Sequence, residues 1–170
     1  GTGRGAQAGI LIKNAESLEL MEKIDVLVID KTGTLTEGQP KLTSVIAEAG
    51  YEQDDVLLLA ASLEKGSEHP LARAIIEGAE AKEVSLADAT KFESFTGKGV
   101  VGEVNGKEVA LGNDKLLEAL KIEKTALVEQ ADERRSKGET VMLIAIDGAL
   151  AGLIGVADPI KETTPHALHD

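Results

Sequence analysis

The sequence has no cysteine and no tryptophan, and only one tyrosine, two phenylalanines and three histidines among 170 residues. Each shortage removes a class of function. Without cysteine this chain carries no disulfide, no thiolate metal site and no cysteine nucleophile, which fits a reducing compartment. Three histidines argue against an all-histidine metal cage. An aromatic content of 2% excludes stacking platforms for single-stranded nucleic acid, so Val, Ile, Leu and Ala must build the core. Positive charge is also short, with 18 Lys and Arg against 30 Asp and Glu and a net charge of -12. Such a surface repels phosphate backbones and anionic lipid, so no nucleic-acid partner is expected. An anionic ligand would have to be held locally, by backbone amides or a bound cation. There is no basic start followed by an apolar run at Gly1–Gly9, so no signal peptide is expected there. The longest apolar stretch, residues 141–157, is interrupted at Asp147-Gly148 and falls short of the roughly 20 residues of a spanning helix, so the chain reads as soluble. The length suits one domain, or one domain with pieces of another. A Gly-rich opening and an ending at His169-Asp170 without a closing element make it look like a piece of something larger.

What is present is strongly patterned. Gly1–Gly9 reads as flexible, Ile10-Leu11-Ile12 as a short apolar run, and Glu16–Glu22 as a turn or two of helix. Val26–Ile29 is a continuous apolar run ending in Asp30, the pattern of a strand buried on both faces of a parallel sheet. Leu42–Ala47 reads as a further strand. Asp54–Leu63 has the acidic start and apolar body of a helix. Pro70 suits a first helical turn with His69 as cap, and Leu71, Ala74, Ile75 and Ala79 recur at helical spacing. Asn105-Gly106 and Asp147-Gly148 each separate two apolar runs, the signature of tight hairpins. Helices are expected over Asp114–Leu120, capped by Asn113, and over Ala126–Lys137, stopped by Gly138. Two hairpins with intervening helices predict an α+β fold, an antiparallel sheet covered by helices.

The sharpest chemical feature is Asp30-Lys31-Thr32-Gly33-Thr34-Leu35-Thr36. An apolar strand delivers Asp30 to its carboxyl end, where ligands bind in open α/β sheets. A carboxylate there can attack phosphorus and form an acyl phosphate. Gly33 permits a sharp turn, and Thr32 and Thr34 offer hydroxyls and amides to phosphate oxygens. An anionic nucleophile approaching an anionic phosphate requires Mg²⁺. The alternative is a strand-terminal Asp that caps a turn. The heptad resembles the phosphorylation motif of P-type ATPases. That resemblance implies that Asp30 is phosphorylated by ATP, with Lys31 and Thr32 beside it and Mg²⁺ on Asp30 and Thr32.

Ser67-Glu68-His69-Pro70-Leu71 resembles the signature of the heavy-metal-transporting branch of that family. There, the resemblance implies, His69 helps orient adenine and Glu68 belongs to the nucleotide site. Physically, an imidazole stacks on or bonds to a purine, and Pro70 fixes the helix that presents it. The family's further acidic contact falls on Glu64, whose carboxylate can accept from the adenine amino group, although an exposed helix-end Glu reads equally well. Gly97-Lys98-Gly99-Val100 lets the backbone approach a ligand closely. In the family the matching glycines and aliphatic residue, Gly97, Gly99 and Val100, line the adenosine pocket together with Gly112 and Asn113. Asn113 is also a natural helix cap. The Gly97, Gly99, Gly102 spacing is not a dinucleotide fingerprint, because Gly102 falls in an expected strand and no helix follows. Asp158-Pro159-Ile160-Lys161 resembles the segment that leads back into the phosphorylation domain, so Asp158 would support that site or its hinge, a Pro-turn Asp being the alternative. Residues 2–6 and 9–13 resemble the cytoplasmic segment that precedes the motif in copper-type pumps.

The resemblance thus covers nearly the whole chain. It implies a first part of a haloacid-dehalogenase-like phosphorylation domain over 1–39, the nucleotide-binding domain over 40–147, and the start of a second phosphorylation part over 148–170. The family's Thr-Gly-Asp and Gly-Asp-Gly-x-Asn-Asp segments and its Cys-containing ion site are not in this sequence. The implied function is the ATP-binding cytoplasmic region of a copper- or silver-transporting pump, with ATP and Mg²⁺ as ligands and the remaining membrane, actuator and phosphorylation parts as partners. The alternatives are a free-standing nucleotide-binding regulatory module and a dehalogenase-type phosphatase. Thr32 stands where the phosphatase would need an acid/base Asp. Lacking most of its parallel neighbours, Val26–Ile29 is expected to be disordered, re-paired, or buried against another copy.

Overall fold

The computed structural model describes residue 7 and residues 13–165. The expectations for 1–6, 8–12 and 166–170 lie outside the described residues. In chain order the elements are α1 (Ala15–Met21), β1 (Lys41–Ala47), α2 (Gln53–Glu64), α3 (Pro70–Ala81), β2 (Ala89–Phe95), β3 (Gly99–Val104), β4 (Lys107–Gly112), α4 (Asp114–Ala119), α5 (Leu127–Ser136), β5 (Thr140–Ile146) and β6 (Ala149–Ala157). The six strands form one antiparallel sheet in the order β1-β6-β5-β4-β3-β2.

The sheet is central because its inner strands are apolar on both sides. Along β5, Ile144 and Ile146 face α2 and α3, while Leu143 and Ala145 face α4 and α5. The first layer adds Val56, Leu57, Leu63 and Ile75, and the second adds Leu116, Leu117, Leu127 and Ala131. A strand covered on both faces needs no polar alternation, which is why β5 and β6 read as unbroken apolar runs. Both tight turns take the expected geometry. Asn105 and Gly106 have φ of 51° and 75°, and Asp147 and Gly148 have 50° and 81°. These are the left-handed pairs that a two-residue hairpin demands.

The structure departs from expectation in two places. Val26–Ile29 forms no strand: Val26, Leu27 and Val28 are exposed by 76%, 64% and 90%. An apolar run becomes a central strand only where neighbours take its hydrogen bonds, and this run pairs with no strand of the described sheet. Second, β2 was not foreseen, because its exposed, polar sequence carries little periodicity. It adds to β3 as an edge strand, with a register break near Lys91, whose φ is 52°. Asp147-Gly148 forms the tip of the β5–β6 hairpin, and β6 is an interior strand of the sheet.

Helix α3 lies close on β1 because Gly78 has no side chain. A Cβ there would stand 2.5 Å from Leu42 Cβ. Gly78→Val is therefore expected to lower stability by about 1–3 kcal/mol. Urea denaturation checks this, and an unchanged midpoint would refute the close approach.

Candidate functional site

The loop that carries the heptad is built around one buried hydroxyl. Asp30 is extended and exposed. Lys31–Leu35 then makes a single wide turn, closed by Thr36 N–H donating to Lys31 O at 3.2 Å, with Gly33 at a φ of 76°. Thr36 is fully buried. Its Oγ1 accepts from Gly33 N–H at 3.1 Å and donates to Asp158 Oδ2 at 2.5 Å. The other oxygen of Asp158 accepts from Gly38 N–H at 2.8 Å. The chain leaving Asp158 continues the contact. Glu37 N–H donates to Pro159 O, Lys161 N–H and Thr164 Oγ1 donate to Leu35 O, and Lys161 Nζ donates to Gly33 O at 3.2 Å. Asp158 thus fastens the heptad loop to the strand that exits the sheet. Sequence reasoning named Asp158 but missed Thr36, Lys161 and Thr164. The signal for Thr36 lay within the heptad, as a hydroxyl beside an apolar Leu35.

The second assembly is a cavity of about 350 Å³ between the start of α3, the β3–β4 end of the sheet and the start of β5. Glu64, His69, Gly97, Gly99, Val100, Gly112 and Asn113 all line it. The glycines are structurally required. Gly99 and Gly112 face each other across β3 and β4, and a Cβ on either would collide with backbone, at 2.2 Å from Leu111 O or 2.1 Å from Lys98 O. The result is a flat wall of backbone. Asn113 serves two purposes: its side chain caps α4 by accepting from Lys115 N–H and donates to Gly97 O at 2.8 Å. His69 caps α3 through Nδ1, which accepts from Leu71 N–H at 3.2 Å. That bond assigns the neutral ring's proton to Nε2 and makes the free nitrogen a donor. Glu68 does not line the cavity. It is exposed, because Ser67 and His69, on either side of it, take the cavity-facing positions of the turn. Phe95, Thr140 and Met142 also line the cavity and carried no sequence signal, since β2 and the edge of β5 had to be placed first.

Glu64 is the anomalous member. It ends α2 with only 4% exposure, and its Oε2 has no hydrogen-bond partner. Burial pushes its carboxyl above the ordinary Glu range, opposed by the Ser67 hydroxyl and the nearby His69. An unpaired buried carboxylate is costly, and a ligand donor would relieve it.

Asp30 and Thr32 do not make a metal site by themselves. Among the described residues, no group of three or more His, Cys, Asp or Glu could hold a metal ion. Asp30 and Thr32 offer one carboxylate and one hydroxyl, an incomplete set for Mg²⁺, which takes one or two carboxylates and fills its remaining positions with phosphate oxygens and water.

The raised Glu64 value fixes a pH dependence. A carboxyl whose folded value lies above its unfolded one contributes stability that is complete below about pH 4 and is lost as pH rises through the raised value. Glu64→Gln is thus expected to stabilise the chain at pH 7 and to change it less at pH 4. Denaturation at both values checks this, and an equal difference at both would remove ionisation as the cause.

The family model described as haloacid dehalogenase-like hydrolase matches residues 24–170. The chain is 52% identical over 168 residues to a copper-exporting P-type ATPase of Legionella pneumophila, covering 99% of this chain and 23% of that protein. It is 55% identical over 172 residues to a copper-transporting P-type ATPase of Rhizobium leguminosarum, covering 99% and 20%. Among solved structures, a zinc-transporting PIB-type ATPase in its E2.Pi state aligns over 99% of this chain and 27% of its own, at 30% identity and a TM-score of 0.84. The chain therefore spans about a fifth of the length of the curated relatives it matches. It belongs to the haloacid dehalogenase-like hydrolase family, and within it is related to the copper-transporting P-type ATPases.

Proposed function

We propose that this chain is the ATP-binding cytoplasmic region of a copper- or silver-exporting P-type pump, and that Asp30 accepts the γ-phosphate of ATP. The observation that carries the reading is the single cavity that gathers Glu64, His69, Gly97, Gly99, Gly112 and Asn113. These residues are scattered over three helix ends, two strands and the turn before β3, and they offer a base the partners it needs. The glycine wall admits a flat ring. The Glu64 carboxylate accepts from an exocyclic amino group, and the Nε2–H of His69 donates to a ring nitrogen. No described helix is long and apolar enough to cross a membrane, and the pump's ion path would lie in other parts of a longer protein.

In the transfer step a carboxylate oxygen of Asp30 attacks the γ-phosphorus. The P–O bond to the β-phosphate breaks, ADP leaves with the electron pair, and an aspartyl phosphate remains. The exposed position of Asp30 suits an in-line approach, and the Asp158–Thr36–Gly33 bonds hold the turn beside it. We assign the nucleotide-binding unit to the whole six-stranded sheet and its helices, with the heptad loop and the segment after Asp158 as parts of the phosphorylation unit.

A titration of this chain with ATP, followed by amide NMR, tests the reading. Wild type is expected to show shifts at Gly97, Gly99 and Gly112. His69→Asn keeps a capping oxygen for α3 but removes the imidazole, and is expected to weaken binding at least tenfold without unfolding the helix. No shifts at millimolar ATP would overturn the proposal.

A further inference from the structure

We infer that the Thr140 hydroxyl hydrogen-bonds the polyphosphate of the bound nucleotide, at the point where the nucleoside cavity opens toward the heptad loop. The inference rests on the ATP reading of that cavity and adds to it a residue that no motif singled out. A second cavity, of about 240 Å³, is lined by Lys31, Thr32 and Asp158. It shares two lining residues with the 350 Å³ cavity, Leu71 and Thr140. Leu71 has no polar side-chain atom. Thr140 is therefore the side chain that can hydrogen-bond a ligand extending from one space into the other.

Its place in the fold is fixed by the sheet. Thr140 opens β5 and pairs with Val156, which stands shortly before Asp158 on β6. It shares a strand face with Met142, which also lines the nucleoside cavity. Every other residue of β5 is apolar, and Thr140 is exposed, so neither burial nor packing calls for a hydroxyl there. The turn before it faces the heptad loop: Gly138 has a φ of 94°, and a Cβ on it would stand 3.6 Å from Lys31 Nζ.

Charge selects the direction. Thr140 also borders a cavity of about 390 Å³ that contains Arg135 and Lys115 beside the carboxylates of Asp114 and Glu139, which repel an anion there. That guanidinium is already engaged by Asp132 at 2.8 Å, by Asp114 and by Val141 O. On the other side stands the Lys31 ammonium. In a chain of net charge -12, a polyphosphate follows the local cation and the local donors.

The test compares ATP with adenosine on the full chain, by calorimetric or NMR titration. Thr140→Val and Thr140→Ala, both lacking the hydroxyl, are expected to bind adenosine like wild type and ATP roughly tenfold more weakly, the size of a lost hydrogen bond to a charged group. Thr140→Ser is expected to restore ATP affinity. A wild-type chain that takes up neither adenosine nor ATP would remove the ATP reading and this inference with it. A wild type that binds both, with ATP affinity unaltered in the two hydroxyl-less variants or with both ligands weakened equally, would overturn the Thr140 assignment alone.

Discussion

The antiparallel pairing of β1 with β6 is the constraint on which the rest of the molecule depends. Lys41 lies opposite Ala157, so the chain enters and leaves the sheet at one place. Only because of that adjacency can a single carboxylate, Asp158, bond both Thr36 and Gly38 of the incoming segment. The sheet in turn holds β6 in place by burying it on both faces, with Leu153 and Ile154 fully inaccessible on opposite sides. Hydrophobic packing fixes the strand, the strand fixes the carboxylate, and the carboxylate fixes the loop beside Asp30.

The cavity lined by Glu64, Gly99 and Gly112 works against this packing. Glu64 ends a helix whose other buried residues, Ser62 apart, are apolar, and a carboxyl kept there is held at the expense of stability. The Gly99–Gly112 pair likewise forgoes side-chain packing in the middle of a sheet. Local departures from good packing that converge on one space are what a binding site looks like in an otherwise consistent core.

Much of this was legible beforehand, and the reasons differ by residue. The hairpins at Asn105-Gly106 and Asp147-Gly148 followed from backbone sterics, which act within two residues. The caps at His69 and Asn113 followed from local side-chain chemistry. Val26–Ile29 and β5 look alike in sequence, as unbroken apolar runs, yet only β5 is a strand. Pairing partners decide the matter, and they are remote in the chain. For the same reason β2, Thr36 and Thr140 escaped: an edge strand, a buried hydroxyl and a polar strand end acquire meaning only after the sheet is assembled. Glu68 lies outside the cavity because adjacency in a motif is not adjacency in space.

The two crossings at the base of the sheet also limit motion. A unit on a single tether can swivel about it. Here two antiparallel segments leave together, cross-linked by Glu37 to Pro159, Thr36 to Asp158 and Leu35 to Lys161. A ribbon of that kind bends across its width far more readily than it twists along its length. The paired crossings therefore hold the azimuth of the sheet and its cavity relative to the heptad loop.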